Sequence, residues 1–369
     1  MELEFILEFT LQPLQNSIMK QKNFLYVGSF FEGSTVNHRY RDLAHIFENI
    51  DYFNTNDFFP LFRRSLASIW KRLGFGPPYH KMLHQLSIKI DKFNPEIIFF
   101  DKCLYIPKWF FLNLKKKGIY LIHFSNDDQL NPSNQTQNYI CSIPLYNLHI
   151  TTKSYNVEEL NLLNATSVKF INNATSNHYI YPIKISNTDK INYGSQVGFI
   201  GTYEFQRAES LLFLAKNGVK IRIWGSGWKG KSSIKHPNLI IEDKPLWGED
   251  YLKVLCSTDI NLNFLRKENR DLQTTRSIEI PASGAFMLAE YSSEHEKLFE
   301  NNQEAVYFKD NLDLLGKVRF YLQNPKEIKR IALNGYIRCI DSNYFYKDAF
   351  NQLFHKLEDH VSFCNNNKF

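Results

Sequence analysis

The chain has 369 residues, a length that corresponds to two domains of ordinary size. Hydrophobic residues make up 43% and charged residues 22%, which excludes a disordered or fibrous chain. The 44 basic and 38 acidic side chains leave a net charge of +6, which suits an anionic ligand or an acidic membrane surface but is too small and dispersed to indicate nucleic-acid binding.

The first half of the chain alternates between short apolar runs and stretches with helical periodicity. Helical patterns follow the first run and occupy roughly Leu61 to Phe93, with an interruption at Gly74–Pro78. Near-continuous apolar strands between helices are typical of a buried, mostly parallel sheet. The predicted strands of this half are Asn23–Phe30, Ile50–Thr55, Glu96–Asp101, Ile119–Asp127, Leu148–Thr152 and Val168–Asn173.

A polar stretch without periodicity, residues 184–196, is predicted to be a linker, and the alternation restarts after it. The predicted strands of the second half are Gln196–Thr202, Val219–Gly227, Leu239–Asp243, Asp259–Phe264, Gly284–Glu290 and Ala305–Asp310. The sequence therefore predicts two Rossmann-like domains, residues 1–183 and 197–345. Residues 346–369 are predicted to form a helix that crosses back to the first domain.

Two polar groups of the first half follow predicted strands, where ligands of open parallel sheets bind. Gly28 and Ser29 end the first strand, and such small residues let backbone amides approach a phosphate. A simple strand-to-helix turn is the alternative. Asp127 and Asp128 follow a strongly apolar strand and are candidates for a general base, with a helix cap or turn as the alternative.

The start of the second half carries a candidate diphosphate site. Gly201 and Thr202 end one predicted strand, Arg207 begins the next helix, and Gly225 ends the following strand. A guanidinium beside a helix N-terminus and glycine-rich backbone can hold a diphosphate, although Arg207 could instead pair with a neighbouring glutamate on the surface. Trp228 could stack on a base or sugar, with core packing as the alternative.

A third candidate segment combines two carboxylates with an arginine. Asp271 and Glu279 are eight residues apart, close to two helical turns, which places both on one helix face with Arg276 between them. A glutamate at the end of such a helix, followed by Gly284 and a strand, can accept two hydrogen bonds from a ribose. The alternative is an ordinary amphipathic helix with exposed charges.

No metal site is predicted. Five cysteines have no CxxC spacing, which indicates neither a zinc site nor a disulfide framework, and His80 and His84 lack a third ligand. The N-terminal segment has no basic region or cleavage site of a signal peptide, and no run of eighteen apolar residues occurs. The expected location is the cytoplasm, or the inner face of the membrane if the three lysines before Gly118 contact anionic lipid.

An ordered series of motifs in the second half resembles the glycosyltransferase-like proteins of the CgeB spore-protein type. The motifs are VGFIGTYEFQRAESLLFLAKNGVKIRIWGSGW, STDINLNF, TTRSIEIPASGAFMLAEYSSEHEKLFENNQEAVYF and NPKEIKRIALNGYIRCI. The resemblance covers about Gln196 to Leu357 and extends more faintly into the first half. These proteins are similar to retaining glycosyltransferases of the group 1 type.

The resemblance implies a GT-B fold, in which two Rossmann-like domains face each other across a cleft. It also implies a nucleotide-sugar on the second domain and an acceptor on the first. Glu279 matches the second Glu of a Glu-x7-Glu pair, the one that holds the ribose, while Asp271 stands at the first. Arg207 and Arg276 match basic positions that neutralise the diphosphate, so no cofactor or divalent metal is expected.

The leading hypothesis is a glycosyltransferase that moves a sugar from a nucleoside-diphosphate donor to a hydroxyl of a glycan, a lipid-linked precursor or a protein. Asp127 or Asp128 would be the base of an inverting reaction, whereas a retaining reaction needs none. Two alternatives stay open. One is a nucleotide-sugar epimerase with the same fold, and the other is a non-catalytic partner that binds a nucleotide-sugar or glycan.

Overall fold

The computed structural model describes residues 18–59, 64–231 and 234–366, and within them lie two six-stranded sheets whose neighbouring strands all pair in parallel. The predicted α/β class with two Rossmann-like sheets is confirmed, and each of the twelve predicted strands is present. The strands are β1 (Phe24–Gly28), β2 (Ile50–Asn54), β3 (Ile97–Asp101), β4 (Tyr120–Ser125), β5 (Leu148–Thr151), β6 (Val168–Phe170), β7 (Ser195–Ile200), β8 (Ile221–Trp224), β9 (Leu239–Ile241), β10 (Thr258–Asn263), β11 (Met287–Glu290) and β12 (Val306–Phe308).

Helices cover both faces of each sheet. From residue 64 onward, the helical pattern predicted between residues 61 and 93 forms two helices, which are separated at the predicted turn, where Gly76 has a φ of +117° and Pro77 begins the second helix. The helices are α1 (Thr35–Leu43), α2 (Arg64–Leu73), α3 (Pro77–Phe93), α4 (Lys108–Lys116), α5 (Gln137–Ser142), α6 (Tyr155–Leu162), α7 (Asn187–Tyr193), α8 (Phe205–Lys216), α9 (Gly248–Ser257), α10 (Arg276–Ala282), α11 (Ser293–Leu298), α12 (Asn311–Gln323), α13 (Pro325–Asp341) and α14 (Tyr346–Asn366).

Each sheet separates two apolar clusters, because successive strand residues point to opposite faces. In β1, Leu25 and Val27 pack into the cluster beneath α3 and α4, whereas Phe24 and Tyr26 pack into the cluster beneath α1 and α14. The second sheet is covered in the same way on both faces. Residues buried on both sides of a sheet explain why the strands read as continuous apolar runs rather than as alternating patterns.

The strand orders locate the crevice of each domain. The first sheet has the order β2-β1-β3-β4-β5-β6 and the second has the order β12-β11-β10-β7-β8-β9. The order therefore reverses between β1 and β3 in the first domain and between β7 and β10 in the second. Ligands of open α/β sheets bind beyond the carboxyl ends of the strands at such switch points.

The segment between the two sheets is more ordered than a linker. Residues 184–196 contain α7, whose N-terminus carries a capping box formed by Ser186 and Asp189. The chain crosses between domains a second time beside Thr175, which pairs with Phe345 in an isolated parallel bridge. From there α14 packs on α1, with Tyr346 and Phe350 fully buried in the first domain. Residues 1–17, 60–63, 232–233 and 367–369 of the predicted domains lie outside the described residues.

Candidate active site

The loop after β7 begins with a tightly packed glycine pair. A Cβ atom on Gly225 would lie 2.1 Å from the carbonyl oxygen of Gly201, and Gly225 has a φ of +128°. The indole nitrogen of Trp228, which is 1% exposed, donates to the same carbonyl at 2.9 Å. These contacts fix the backbone of Gly201 and Thr202 at the carboxyl end of β7.

A cavity of about 250 Å³ opens between the domains at the switch point of the second sheet, and we call it the arginine cavity. Among its lining side chains are four cations and two carboxylates, so its formal charge is positive. An anion is the ligand that this balance favours. The charged lining residues are Asp127, Lys153, Arg207, Arg266, Asp271 and Arg276.

Three guanidinium groups lie close enough in this cavity to influence one another. Burial lowers the pKa of Arg207; Glu204 opposes that shift, and the charges of Arg266 and Arg276 add to it. Glu204 is shared, at 3.4 Å from Arg207 and 2.6 Å from Arg266. The buried Nε atoms of Arg207 and Arg276 have no hydrogen-bond partner. Buried donors of one sign with too few acceptors form a site that an anion would complete.

Asp271 and Lys153 form an almost fully buried ion pair across the domain interface. Asn269 also donates to the Asp271 carboxylate at 2.7 Å. Burial raises the pKa of Asp271, while Lys153 and this hydrogen bond act against the increase. The carboxylate thus borders the cavity while being held by a cation from the first domain.

A second cavity of about 190 Å³ adjoins the first, and we call it the Glu279 cavity. Thr275 and Arg276 line both cavities. Glu279 accepts a hydrogen bond of 2.7 Å from the Tyr251 hydroxyl. Gly33, in the loop after β1 of the first domain, packs against the ring of Trp247 and closes one side of this cavity. The two cavities together form a cleft that runs from the arginines to Glu279.

Asp128 is fully buried and engaged in holding the domains together. Arg270 forms two hydrogen bonds to its carboxylate, at 2.7 and 3.0 Å, and Asn156 donates a third at 3.1 Å. Arg270 also contacts Glu159 through two bonds and lies 4.3 Å from the centre of the Tyr155 ring. The geometry therefore gives Asp128 a positioning role rather than contact with a substrate.

Asp127 has the exposure that Asp128 lacks. Its side chain is 41% exposed, lines the arginine cavity and pairs with Lys102 at 2.7 Å. The Lys102 ammonium lowers the pKa of this carboxyl group, which is therefore ionised at neutral pH. Of the two aspartates, Asp127 is the one that can contact a bound molecule.

Residues 207–355 match a family model described as glycosyl transferase-like, and no curated protein sequence matches the chain. Sucrose-phosphate synthase from Thermosynechococcus elongatus is similar over 91% of this chain and 99% of its own, with a TM-score of 0.63 and 10% identity. Anabaena HepE, solved with UDP and glucose, is similar over 92% and 100%, with a TM-score of 0.62 and 11% identity. A putative UDP-N-acetylglucosamine 2-epimerase from Listeria monocytogenes is similar over 92% and 97%, with a TM-score of 0.55 and 10% identity.

The chain has the GT-B fold. The predictions of this fold and of a glycosyltransferase are confirmed at the level of the family match and the architecture. The matched segment contains Arg207, Asp271, Arg276 and Glu279. The narrower resemblance to CgeB-type proteins stays a prediction.

The GT-B cleft brings together six of the predicted donor-site residues. They are Gly201, Thr202, Arg207, Asp271, Arg276 and Glu279. Gly225 and Trp228 lie behind the loop, where they support Gly201, so Trp228 is not available for stacking. Gly284 precedes β11 at the opposite edge of the sheet, where its φ of +72° makes the turn after α10 and its Cβ position faces Pro182.

Gly28 and Ser29 also lie away from the arginine cavity. Gly28 ends β1 and packs beneath Val36, and the Ser29 carbonyl accepts from the Ser34 hydroxyl. Gly33, a few residues later, is the glycine of this loop that reaches the cleft. Gly33 reaches the cleft because its loop packs against Trp247 of the second domain, and residue spacing within the loop does not predict such a contact between domains.

Arg266 is the main site residue that the sequence patterns did not single out. Arg266 follows β10, which pairs with β7 at the switch point. Its position after a strand next to the switch point is the feature of the sequence that could have predicted a binding role. Among the described residues, no three His, Cys, Asp or Glu side chains are grouped as metal ligands. In the same part of the chain, none of the helices has both the length and the apolarity needed to cross a bilayer.

Proposed function

We propose that this protein transfers a sugar from a nucleoside-diphosphate-sugar to a hydroxyl acceptor. The observation that carries the proposal is the convergence of Arg207, Arg266 and Arg276 on one interdomain cavity, at the switch point of the second sheet. A diphosphate would supply further negative charge, because Arg207 and Arg266 share a single carboxylate, that of Glu204, and the buried Nε atoms of Arg207 and Arg276 have no acceptor. Basic side chains at the leaving diphosphate stabilise the transition state, because negative charge accumulates there as the glycosidic bond breaks.

The two cavities suggest how the donor is oriented. The diphosphate would lie against Arg276, which borders both cavities. The ribose would then reach Glu279, whose carboxylate can accept two hydroxyl hydrogen bonds. The transferred sugar would occupy the end of the cleft near Asp271 and Asp127. HepE has been solved with UDP-glucose, so UDP-sugars are the first donors to test.

We further propose that the reaction needs no divalent cation, because the arginines would neutralise the diphosphate directly. Magnesium and EDTA would then leave the transfer rate equal within twofold. A rate that requires magnesium would contradict this proposal and would assign part of the neutralisation to a metal.

The experiment that tests the function measures both nucleotide release and sugar transfer. Purified protein is supplied with UDP-, GDP-, ADP- and dTDP-sugars, with and without mixed glycan and polyprenyl-phosphate acceptors. Nucleoside diphosphate released only when an acceptor is present, with a glycosylated product, supports the proposal. Isomerised donor without acceptor would favour the epimerase, to which the similarity with the Listeria structure lends some weight. Nucleotide binding without either product would favour the non-catalytic partner.

The environment of Asp127 favours a retaining reaction, in which no protein base is required. A carboxylate whose pKa is lowered by Lys102 is poorly matched to accept a proton near neutral pH. We expect Asp127→Asn to raise KM for the acceptor while kcat falls less than about tenfold, since a lost general base costs roughly 10²–10⁴. NMR of the product should show that the transferred sugar has the same anomeric configuration as it had in the donor. An inverted product together with a collapse of kcat would make Asp127 the base.

The acceptor would be a glycan, a protein or a lipid-linked precursor, with the last favoured if the protein associates with a membrane surface. A location in the cytoplasm, including the inner face of its membrane, is where nucleotide-sugars and such acceptors would meet.

A further inference from the structure

The outer side of α4, in the first domain, exposes two large apolar side chains among lysines. The inner side of this helix packs Phe110, Phe111 and Leu114 into the core. On the outer side, Trp109 is 55% exposed and Leu112 is 42% exposed, one helical turn apart. The helix has no acidic residue and three lysines, all exposed.

A second exposed apolar group lies beside the start of α4. Leu73 ends α2, and Phe75 follows in the turn before α3; both are exposed by about two thirds. Helix α2 lies near the start of α4, because the Lys71 ammonium of α2 is 5.3 Å from the ring centre of Tyr105, which precedes α4 by three residues. We call these side chains the basic apolar surface. It consists of Ile69, Leu73, Phe75, Trp109 and Leu112, with the exposed cations Arg72, Lys108, Lys115 and Lys116.

The charges of this surface are not balanced within the described residues. Neither α2 nor α4 contains an acidic residue. No ion pair within the described ranges involves Arg72, Lys108, Lys115 or Lys116, whereas the nearby Lys117 is paired with Asp91. A second copy of the chain would present the same cations and be repelled. A binding partner must instead carry negative charge and provide an apolar layer into which these side chains can insert.

We propose that the basic apolar surface docks on a bilayer that contains anionic phospholipid. Tryptophan and phenylalanine insert at the boundary between headgroups and acyl chains, and lysine and arginine stems extend so that their charges reach the phosphates. An acidic protein would meet the charge requirement, but five large exposed apolar side chains flanked by cations match the acyl and headgroup layers of a bilayer better.

The position of the surface relates it to the cleft. Helix α4 follows β3, and Asp127 follows β4, so the start of α4 and Asp127 both belong to the carboxyl edge of the first sheet. Docking would hold the acceptor side of the cleft near the headgroups. The link to a lipid-linked acceptor rests on the proposed function, whereas docking itself does not.

Vesicle sedimentation of the full chain tests the proposal without any donor. We expect binding to mixed phosphatidylglycerol–phosphatidylcholine vesicles, weakened by salt, and at least tenfold weaker binding to phosphatidylcholine alone. The double variant Trp109→Ser, Leu112→Ser should lose at least tenfold in binding. Lys115→Glu with Lys116→Glu should lose as much on anionic vesicles.

A matched control comes from α12 of the second domain, where Leu312 is 74% exposed and Phe320 is 53% exposed. Changing both to serine should leave vesicle binding unchanged. Equal losses in the two double variants, equal binding to both vesicle types, or no binding would overturn the proposal. So would a wild-type dimer that Trp109→Ser, Leu112→Ser converts to a monomer. Nucleotide affinity should be unaffected by the α4 variants, which separates this inference from the proposed function.

Discussion

Arg39 and Arg207 occupy corresponding places in the two domains and have opposite surroundings. Each lies on the helix that follows the first strand of its sheet, at the switch point, and each is buried. Arg39 forms an ion pair of 2.7 Å with Asp101, and both side chains are fully buried. It also donates to the Tyr346 hydroxyl of α14 at 3.1 Å. Arg207 lies 3.4 Å from a glutamate that it shares with Arg266, and the charges of Arg266 and Arg276 act against its own charge while Asp271 supports it.

The difference shows how a buried arginine can be assigned to structure or to binding. A buried cation is tolerated when a carboxylate of the same protein neutralises it, and that arrangement fixes the fold. Where guanidinium groups outnumber carboxylates around a cavity, the missing charge belongs to a ligand. In the first domain, the buried arginine at the switch point is paired with a carboxylate of the protein itself. In the second domain, the arginines at the switch point border an open cavity.

The largest effect is expected for Arg39→Leu. Removal of the guanidinium leaves Asp101 buried without its cation, and breaking such a pair costs about 3–5 kcal/mol. Urea unfolding should detect this loss in the free energy of unfolding. Arg330→Leu is the control, since Arg330 pairs with Glu327 on the surface, where ion pairs contribute at most about 1 kcal/mol. Equal losses would remove the distinction between buried and exposed pairs.

Arg207→Gln is expected to behave in the opposite way. Because the change relieves repulsion from Arg266 and Arg276, the free energy of unfolding without ligand should stay within about 1 kcal/mol of the wild type. UDP affinity should fall by about 10- to 150-fold, which corresponds to about 1.5–3 kcal/mol for a charge-assisted hydrogen bond. A loss of stability as large as that of Arg39→Leu would assign Arg207 to structure.

Gly33→Ala tests whether the first domain closes the cleft. Gly33 has a φ of +78°, and a Cβ atom there would lie 2.1 Å from the Trp247 ring. We expect UDP binding to weaken by about tenfold and stability to fall by about 1–2 kcal/mol from the left-handed backbone. Gly118→Ala has nearly the same φ, +76°, with open space around it, and should show only the loss of stability. Unchanged UDP affinity for Gly33→Ala would exclude a role for this loop.

Each domain also buries a histidine that is uncharged in the folded protein at neutral pH, and these histidines should make stability depend on pH. Burial lowers the pKa of His149 in the first domain and of His295 in the second, each to about 4. The unfolded chain binds protons on these rings below about pH 6.5, whereas the folded chain does not until about pH 4. Stability should therefore be lost as pH falls from 6.5 toward 4. A flat urea midpoint between pH 7 and 5 would contradict this.

The strands of both sheets and some of the site residues could be predicted from the sequence. Most strands were predictable because strands buried on both faces are apolar throughout, whereas the edge strands β2, β6 and β9 are largely exposed or half-buried. Asp271, Arg276 and Glu279 share one segment, but the predicted common helix face for Asp271 and Glu279 is wrong, because α10 begins at Arg276 and Asp271 lies in the loop before it. Arg266 and Gly33 were not predicted to bind, since they lie on loops without periodicity that meet only when the domains pack. Trp228 and Asp128 have residue types suited to binding, but burial gives them supporting roles that spacing does not reveal.

Calorimetric titration of UDP and of uridine into the wild type and Arg276→Gln tests the central claim most directly. The arginine cluster should make UDP bind the wild type at least a hundredfold more tightly than uridine, and Arg276→Gln should reduce that ratio by at least tenfold while uridine binding stays the same. Equal affinities of the wild type for UDP and uridine, or equal losses for both ligands in the variant, would contradict the assignment of a diphosphate to this cavity.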